Sequence, residues 1–259
     1  MMNSLWISAT GMSAQQMNMD TISNNLANAN TTAFKTSRAQ FADIFFQQTQ
    51  AADETAAAGS PLSVGLGSRN MALSRMFSQG TIISTGNALD LAIQGDGFFQ
   101  VQRADGSTAY TRDGSLRVDG EGKLSTAQGY ALSPEIQIPS DAQAVTVGID
   151  GTVSVTTAGS AVPRVVGQLE LCRFLNPAGL TSEGQNLYTA TTAAGEPTVN
   201  TPGQDGLGSL VPGSLEQSNV NLVQEMVNMI QTQRAYEVNS KAVQATDEMM
   251  RMANSLRAG

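Results

Sequence analysis

The sequence predicts an α+β fold in which long N- and C-terminal helices pair as a coiled coil, with a central, mainly antiparallel β-domain. Three observations predict it. Near the N-terminus Leu5, Met12, Met19, Leu26 and Ala33 recur every seven residues. Near the C-terminus Ala235, Val238, Ala242, Ala245, Met249, Met252 and Leu256 alternate steps of three and four. Between them, Asp-Gly pairs punctuate runs of alternating apolar and polar residues.

The first segment, 1–45, reads as a helix over about 4–30. Ile22 and Ala29 follow Met19 and Leu26 by three residues, which makes a heptad seam, thinned where Ser8 and Gln15 take the second position. No proline and only Gly11 interrupts it. The last segment, 215–259, reads as a longer helix from about 219. Asn221 followed by Gln224 resembles a capping box. Val223, Val227 and Ile230 carry the stripe upstream, with a shift before Ala235. Neither helix can bury its stripe alone. The stripes are narrow and there is no third long helix, which favours packing in an assembly over pairing within one chain alone. Ten of the twelve methionines fall in 1–45 and 215–259, where a flexible thioether accommodates several partners. The expected assembly seam is Leu5, Met12, Met19, Leu26, Val227, Ile230, Ala235, Val238, Ala242, Ala245, Met249, Met252 and Leu256.

The middle differs in kind. Asp96-Gly97, Asp105-Gly106, Asp113-Gly114, Asp119-Gly120, Asp150-Gly151 and Asp205-Gly206 mark turns. Several are flanked by alternating runs, the strongest short hairpin signal. These predict a β-domain over 90–200. Residues 46–89 read as an extended linker, with a low-complexity, loop-like insertion at about 47–68. A second linker, 201–214, runs from Thr201-Pro202-Gly203 to Pro212-Gly213.

Composition argues against catalysis. Histidine is absent, which removes the commonest general base and metal ligand. The single cysteine, Cys172, can form no internal disulfide, and its alternating surroundings suit a small residue packed on a strand. Aspartates sit directly before glycine in the six turns named above, where they suit turn capping better than paired acid–base work. Asp119-Gly120-Glu121-Gly122-Lys123 lacks the alternating ligands of a calcium loop. No catalytic, cofactor or metal residues are expected. A net charge of −8 gives no basic footprint for nucleic acid and no polybasic membrane patch. The first 34 residues hold no Lys or Arg and no long apolar run, unlike a secretory signal, and no stretch approaches the ~20 apolar residues of a membrane span. A charged fraction of 14% suggests a surface that meets other protein.

Asn24-Asn25-Leu26-Ala27-Asn28-Ala29-Asn30-Thr31-Thr32-Ala33-Phe34-Lys35 resembles the N-terminal signature of the flagellar rod and hook family. Asn24, Asn25, Leu26, Ala27, Asn28, Thr31, Phe34 and Lys35 carry the likeness. Ala33 stands where the usual pattern has glycine. Thr85 to Phe99, with Tyr110-Thr111-Arg112-Asp113-Gly114, is similar to that family's passage into its β-domain. Ser218-Asn219-Val220-Asn221 and Met226 to Val243 are similar to its C-terminal helix, most of all in the distal rod subunits. The resemblance spans the chain. It implies a structural subunit of the distal rod, polymerising as a hollow helical drive shaft. The alternatives are a proximal rod subunit and, from another class, a secreted β-domain adhesin. It also implies a basal-body location spanning the periplasm and type III export without a cleaved signal. The implied partners are further copies of itself, proximal rod proteins, the hook, the P and L rings and the export apparatus.

Overall fold

The computed structural model describes residues 2–44, 46–49, 62–103, 105–157 and 160–258. The chain forms two compact units: residues 1–27, 37–75 and 221–259, and residues 28–36 and 76–220.

The first unit contains α1 (Met2–Ala27), β1 (Ser37–Asp43), β2 (Phe46–Thr49), β3 (Leu62–Gly65), β4 (Ser68–Arg75) and α2 (Leu222–Ala258). The Asn221 side chain caps α2, accepting from the Gln224 amide at 3.1 Å. The Gln224 side chain donates forward to Asn228 at 3.0 Å, so only half of a capping box forms.

α1 packs antiparallel along α2. Asn25 Nδ2 donates to Glu225 Oε2 at 3.5 Å and Asn18 Nδ2 to Thr232 Oγ1 at 2.9 Å. Gly11 faces Asn239, where an added Cβ would stand 3.0 Å from the amide nitrogen. Each step moves seven residues back along α1 and seven forward along α2. Ala14, Thr21, Ile22 and Asn25 are buried on α1, and Thr232 and Thr246 on α2. The threonine hydroxyls donate to their own helix carbonyls four residues back, at 2.8 Å in each case, so they are buried without losing a partner.

β1 and β4 form an antiparallel ribbon from Ser37↔Arg75 to Asp43↔Ser68, with one register shift beside Gln40. β2 and β3 form a second ladder, Phe46↔Gly65 to Thr49↔Leu62. The stretch read as a loop at 47–68 therefore gives both of its ends to strands, and residues 50–61 lie outside the described residues. The ladder is built from backbone groups. The sequence Gln47-Gln48-Thr49 carries no period-two signal.

The second unit is the β-domain. Its strands are β5 (Ile82–Ser84), β6 (Leu91–Gln94), β7 (Phe98–Gln102), β8 (Thr108–Thr111), β9 (Leu116–Val118), β10 (Leu124–Thr126), β11 (Ala131–Ser133), β12 (Ala142–Val147) and β13 (Thr152–Thr157). They continue as β14 (Ser160–Gln168), β15 (Leu171–Arg173), β16 (Thr181–Gly184), β17 (Leu187–Thr189), β18 (Thr198–Asn200), β19 (Ser209–Pro212) and β20 (Ser214–Glu216). One sheet runs β16-β17-β8-β7-β11-β10-β9, with β15 sharing an edge of β7 and carrying β18. β12-β13-β14 form a second sheet, β6 pairs with β19, and β5 with β20. All these pairings are antiparallel.

Three of the Asp-Gly pairs join paired strands: Asp105-Gly106 between β7 and β8, Asp119-Gly120 between β9 and β10, and Asp150-Gly151 between β12 and β13. The other three turn the chain between strands that do not pair. β19 and β20 lie at the end of the stretch read as a linker and just beyond it. Glycines and prolines on both sides of Leu210-Val211 mask that short strand.

Phe98 and Phe99 show how the core divides. Neighbours on a strand point to opposite faces. Phe99 joins Leu91, Ile93, Val101, Leu124, Leu171 and Leu210 in the main core. Phe98 joins Tyr110, Cys172, Phe174 and Tyr188 in a second. The second core is aromatic and edge-to-face: Tyr110 and Phe174 are 4.8 Å apart, and Phe98 and Phe174 5.9 Å.

Candidate assembly sites

The signature segment 28–36 is closed locally and then sewn into the β-domain. The Thr31 amide donates to the Asn28 carbonyl at 3.1 Å, and Phe34 to Thr31 at 3.3 Å. Asn28 Oδ1 accepts from the Thr31 hydroxyl at 3.1 Å. Ala33 follows at φ 56, in the left-handed region, where a Cβ costs roughly 1–2 kcal/mol. That backbone explains why glycine suits the position. The Ala33 amide donates to the Glu216 carbonyl at 2.8 Å.

Lys35 is fully buried and belongs to an ionic cluster. Its Nζ donates to Glu216 Oε1 at 2.6 Å and to the Ser78 carbonyl at 2.8 Å. Glu216 Oε1 also accepts from the Gly80 amide at 2.8 Å, and Oε2 from Arg112 Nε at 2.9 Å. Arg112 Nη2 donates to the Gly95 carbonyl at 2.7 Å, and its guanidinium carbon lies 5.9 Å from the Phe98 ring centre. Gly80 is required: a Cβ there would stand 2.0 Å from the Gln217 carbonyl oxygen. Two buried cations thus share one buried carboxylate. Burial holds the Lys35 ammonium below the usual lysine range. Arg112 pushes the same way, and Glu216 opposes through its charge and hydrogen bond.

Asn219 completes this clasp. Its Oδ1 accepts from the Thr36 amide at 2.8 Å and the Thr36 hydroxyl at 2.5 Å, and its Nδ2 donates to the Met76 carbonyl at 2.9 Å. Separately, in the helical unit, Asn25 binds Ser37 at both backbone groups, donating to its carbonyl at 2.8 Å and accepting from its amide at 3.0 Å. Of the signature residues, Asn25, Phe34 and Lys35 are buried; Leu26, Asn28 and Thr31 are half-buried; Asn24 and Ala27 are exposed. Sequence reasoning assigned no role to Arg112, Glu216 or Asn219. One signal was available for Glu216: it is the only charged residue between Asp205 and Glu225.

The expected seam residues take another position. Leu5, Met12, Met19, Leu26 and Ala235 are half-buried. Val227, Ile230, Val238, Ala242, Ala245, Met249, Met252 and Leu256 are exposed, with Val238 at 65% and Leu256 at 85%. The face by which α2 meets α1 is the narrower one of Thr232, Asn239 and Thr246, so the apolar stripe stays uncovered within one chain.

Four aspartates of the β-domain cap their own turns. Asp105, Asp113, Asp119 and Asp150 each accept from the backbone amide two residues on. Hydrogen bonds from Ser107 and Thr152 hold the Asp105 and Asp150 carboxyls below their usual range. Burial raises that of Asp113, with Asp90 adding to the effect. Cys172 lies buried on β15, its thiol pushed up to about 12 by burial and then by Glu170. Among the described residues, no cluster of three acidic or sulfur ligands could hold a metal. No described helix is long and apolar enough to cross a membrane.

Comparison with known proteins gives these features a family. Residues 5–35 match the flagella basal body rod protein family, residues 92–155 the flagellar hook protein FlgE/F/G D1 domain, and residues 211–256 the flagellar basal body rod FlgEFG protein C-terminal family. Lys35, Arg112 and Glu216 fall one in each matched segment, so the clasp joins all three. The chain is 48% identical to the flagellar basal-body rod protein FlgG of Buchnera aphidicola subsp. Schizaphis graminum, over 99% of this chain and 100% of that protein. It is 46% identical to FlgG of Borreliella burgdorferi, over 99% of each chain. It is 38% identical to FlgG of Bacillus subtilis, over 99% of this chain and 100% of that protein. With identity at this level from end to end, the chain belongs to the flagellar basal-body rod protein FlgG family, structural components of the flagellar rod.

Proposed function

We propose that this chain is a distal rod subunit that polymerises into a hollow helical shaft and transmits torque from motor to hook. One observation carries the mechanism: the apolar stripe of α2 is uncovered in a single chain, although the same helix is already paired with α1. Exposed contiguous apolar surface of this kind marks protein contact. The terminal helices pair as a coiled coil and line the inner layer of the tube. The β-domain forms the outer layer. Subunits join head to tail through contacts whose rotation does not close. Residues 47–68 bridge neighbouring subunits and resist bending. Proximal rod proteins lie below, the hook above and the P and L rings around, in a location that spans the periplasm. The subunits reach it by type III export without a cleaved signal.

The test is electron microscopy of the concentrated full chain beside the double variant Val227→Glu, Val238→Glu. Straight tubes from the natural chain alone support the reading. Tubes of equal yield from both would show that the stripe is not the assembly surface.

A further inference from the structure

We propose that a small cavity of the β-domain, lined by Arg112 and Arg173, binds a carboxylate on a short apolar stem. Such a group is supplied by a free small carboxylic acid or by the glutamate side chain of a partner protein.

The clasp leaves one donor over. Arg112 is 2% exposed, and its Nε donates to Glu216 Oε2. Its Nη2 donates to the Gly95 carbonyl at 2.7 Å and the Ile93 carbonyl at 3.4 Å. Its Nη1 has no hydrogen-bond partner among the described residues. Sealing such a nitrogen away from any acceptor would be costly. Among the described residues, however, the only buried side-chain polar atom left unpaired is Asn70 Oδ1. Arg112 Nη1 therefore opens to space, and the space that Arg112 lines is a 110 Å³ cavity.

A second guanidinium lines the same cavity. Arg173 Nη1 would stand 2.8 Å from a Cβ on Gly206, so glycine there lets the guanidinium lie across the turn. The Arg173 side chain makes no ion pair or hydrogen bond among the described residues. Asp96 is the one carboxylate in the lining, and it pairs with neither arginine. Asp205, beside Gly206, is already engaged by Asn200. Two guanidinium groups with donors to spare suit a planar anion with two acceptor oxygens.

The walls and the size choose among anions. Phe77, Phe98 and Phe174 line the cavity, with Phe98 5.5 Å from Phe77 and 5.9 Å from Phe174, edge to face. Leu175 belongs to the same lining and is 95% exposed, so a ligand's carbon stem would cover it. An apolar cavity of about 150 Å³ takes benzene, so this one holds roughly five heavy atoms. That is a carboxylate on one or two methylenes. Three aromatic walls disfavour the further oxygens of phosphate or sulfate.

Titration of propionate into the full chain tests this, at fixed ionic strength and below the concentrations that give polymer. Chemical shifts of the Gly97 amide and the arginine Nε groups are followed by NMR. Saturable shifts are expected, with a dissociation constant on the order of a millimolar. Propionamide and chloride should give none. Arg173→Gln removes an exposed side chain without a partner and should weaken binding about tenfold. Asp96→Asn removes the one nearby negative charge and should tighten it about threefold. A blocked glutamate residue that competes with propionate identifies a protein side chain as the guest. Binding of propionate without that competition identifies a free acid. No saturable shift, an equal response to chloride, or unchanged affinity in Arg173→Gln overturns the site and leaves the rod reading standing.

Discussion

In the β-domain, most large apolar side chains turn inward. Leu91, Ile93, Phe99, Leu124 and Leu171 are fully buried, and even the Lys35–Glu216–Arg112 cluster is sealed with its hydrogen bonds made. The helical unit is arranged the other way. Its buried helix residues are few and mostly small or polar, with Ala14, Thr21, Ile22, Asn25, Thr232 and Thr246, while Val223, Ile230, Val238 and Leu256 face water. One unit satisfies its residues internally and the other leaves its best apolar surface unspent. Burial of apolar area is the main favourable term in folding and association alike. Under the proposed assembly, the difference separates a region stable alone from one that gains stability from neighbours.

The largest expected effect breaks the self-sufficient side. Glu216→Gln leaves two buried cations without their carboxylate and should cost about 3–5 kcal/mol, read as a lowered denaturation midpoint of the β-domain. Lys35→Met should cost less, about 1–3 kcal/mol, because Glu216 and Arg112 remain as a balanced pair, Glu216 Oε1 keeps the Gly80 amide and the Ser78 carbonyl keeps Asn219.

The same lysine gives a pH signature. Its folded pKa lies below the unfolded value, so at alkaline pH between the two the unfolded chain binds more protons. Stability should rise with pH across that window, below the ordinary lysine value of 10.5. Urea midpoints at stepped alkaline pH should show the rise in the natural chain and its absence in Lys35→Met.

A smaller effect sharpens the comparison. Ala33→Gly relieves a left-handed backbone but frees the unfolded chain, for a net gain of up to about 1 kcal/mol in thermal stability. The smallest lies on the helices. Val238→Ser should change the free chain's stability by no more than about 0.5 kcal/mol while lowering its yield of polymer.

Much of the fold was legible because its signals are local. Apolar periodicity located both helices, Asn221 located the start of α2, and Asp-Gly pairs located three hairpins. The phase of the helix pair was not legible. Periodicity finds apolar residues, whereas α1 meets α2 through Gly11, Asn18 and Asn25, a small residue and two amides that face Asn239, Thr232 and Glu225. The signature motif pointed to Phe34 and Lys35. The partner of Lys35 lies 181 positions away, and no local pattern couples Lys35 to a lone glutamate on β20. The ladder of β2 and β3 escaped notice because glutamines contribute backbone pairing without an apolar alternation.

Hydrogen exchange on the full chain, free and then polymerised, tests most directly whether the helices are completed by neighbours. Amides of 4–27 and 223–258 should exchange quickly in the free chain and slow about a hundredfold or more on assembly, while β7 and β8 stay protected in both. Helices as protected in the free chain as in the polymer would contradict the division drawn between the two units.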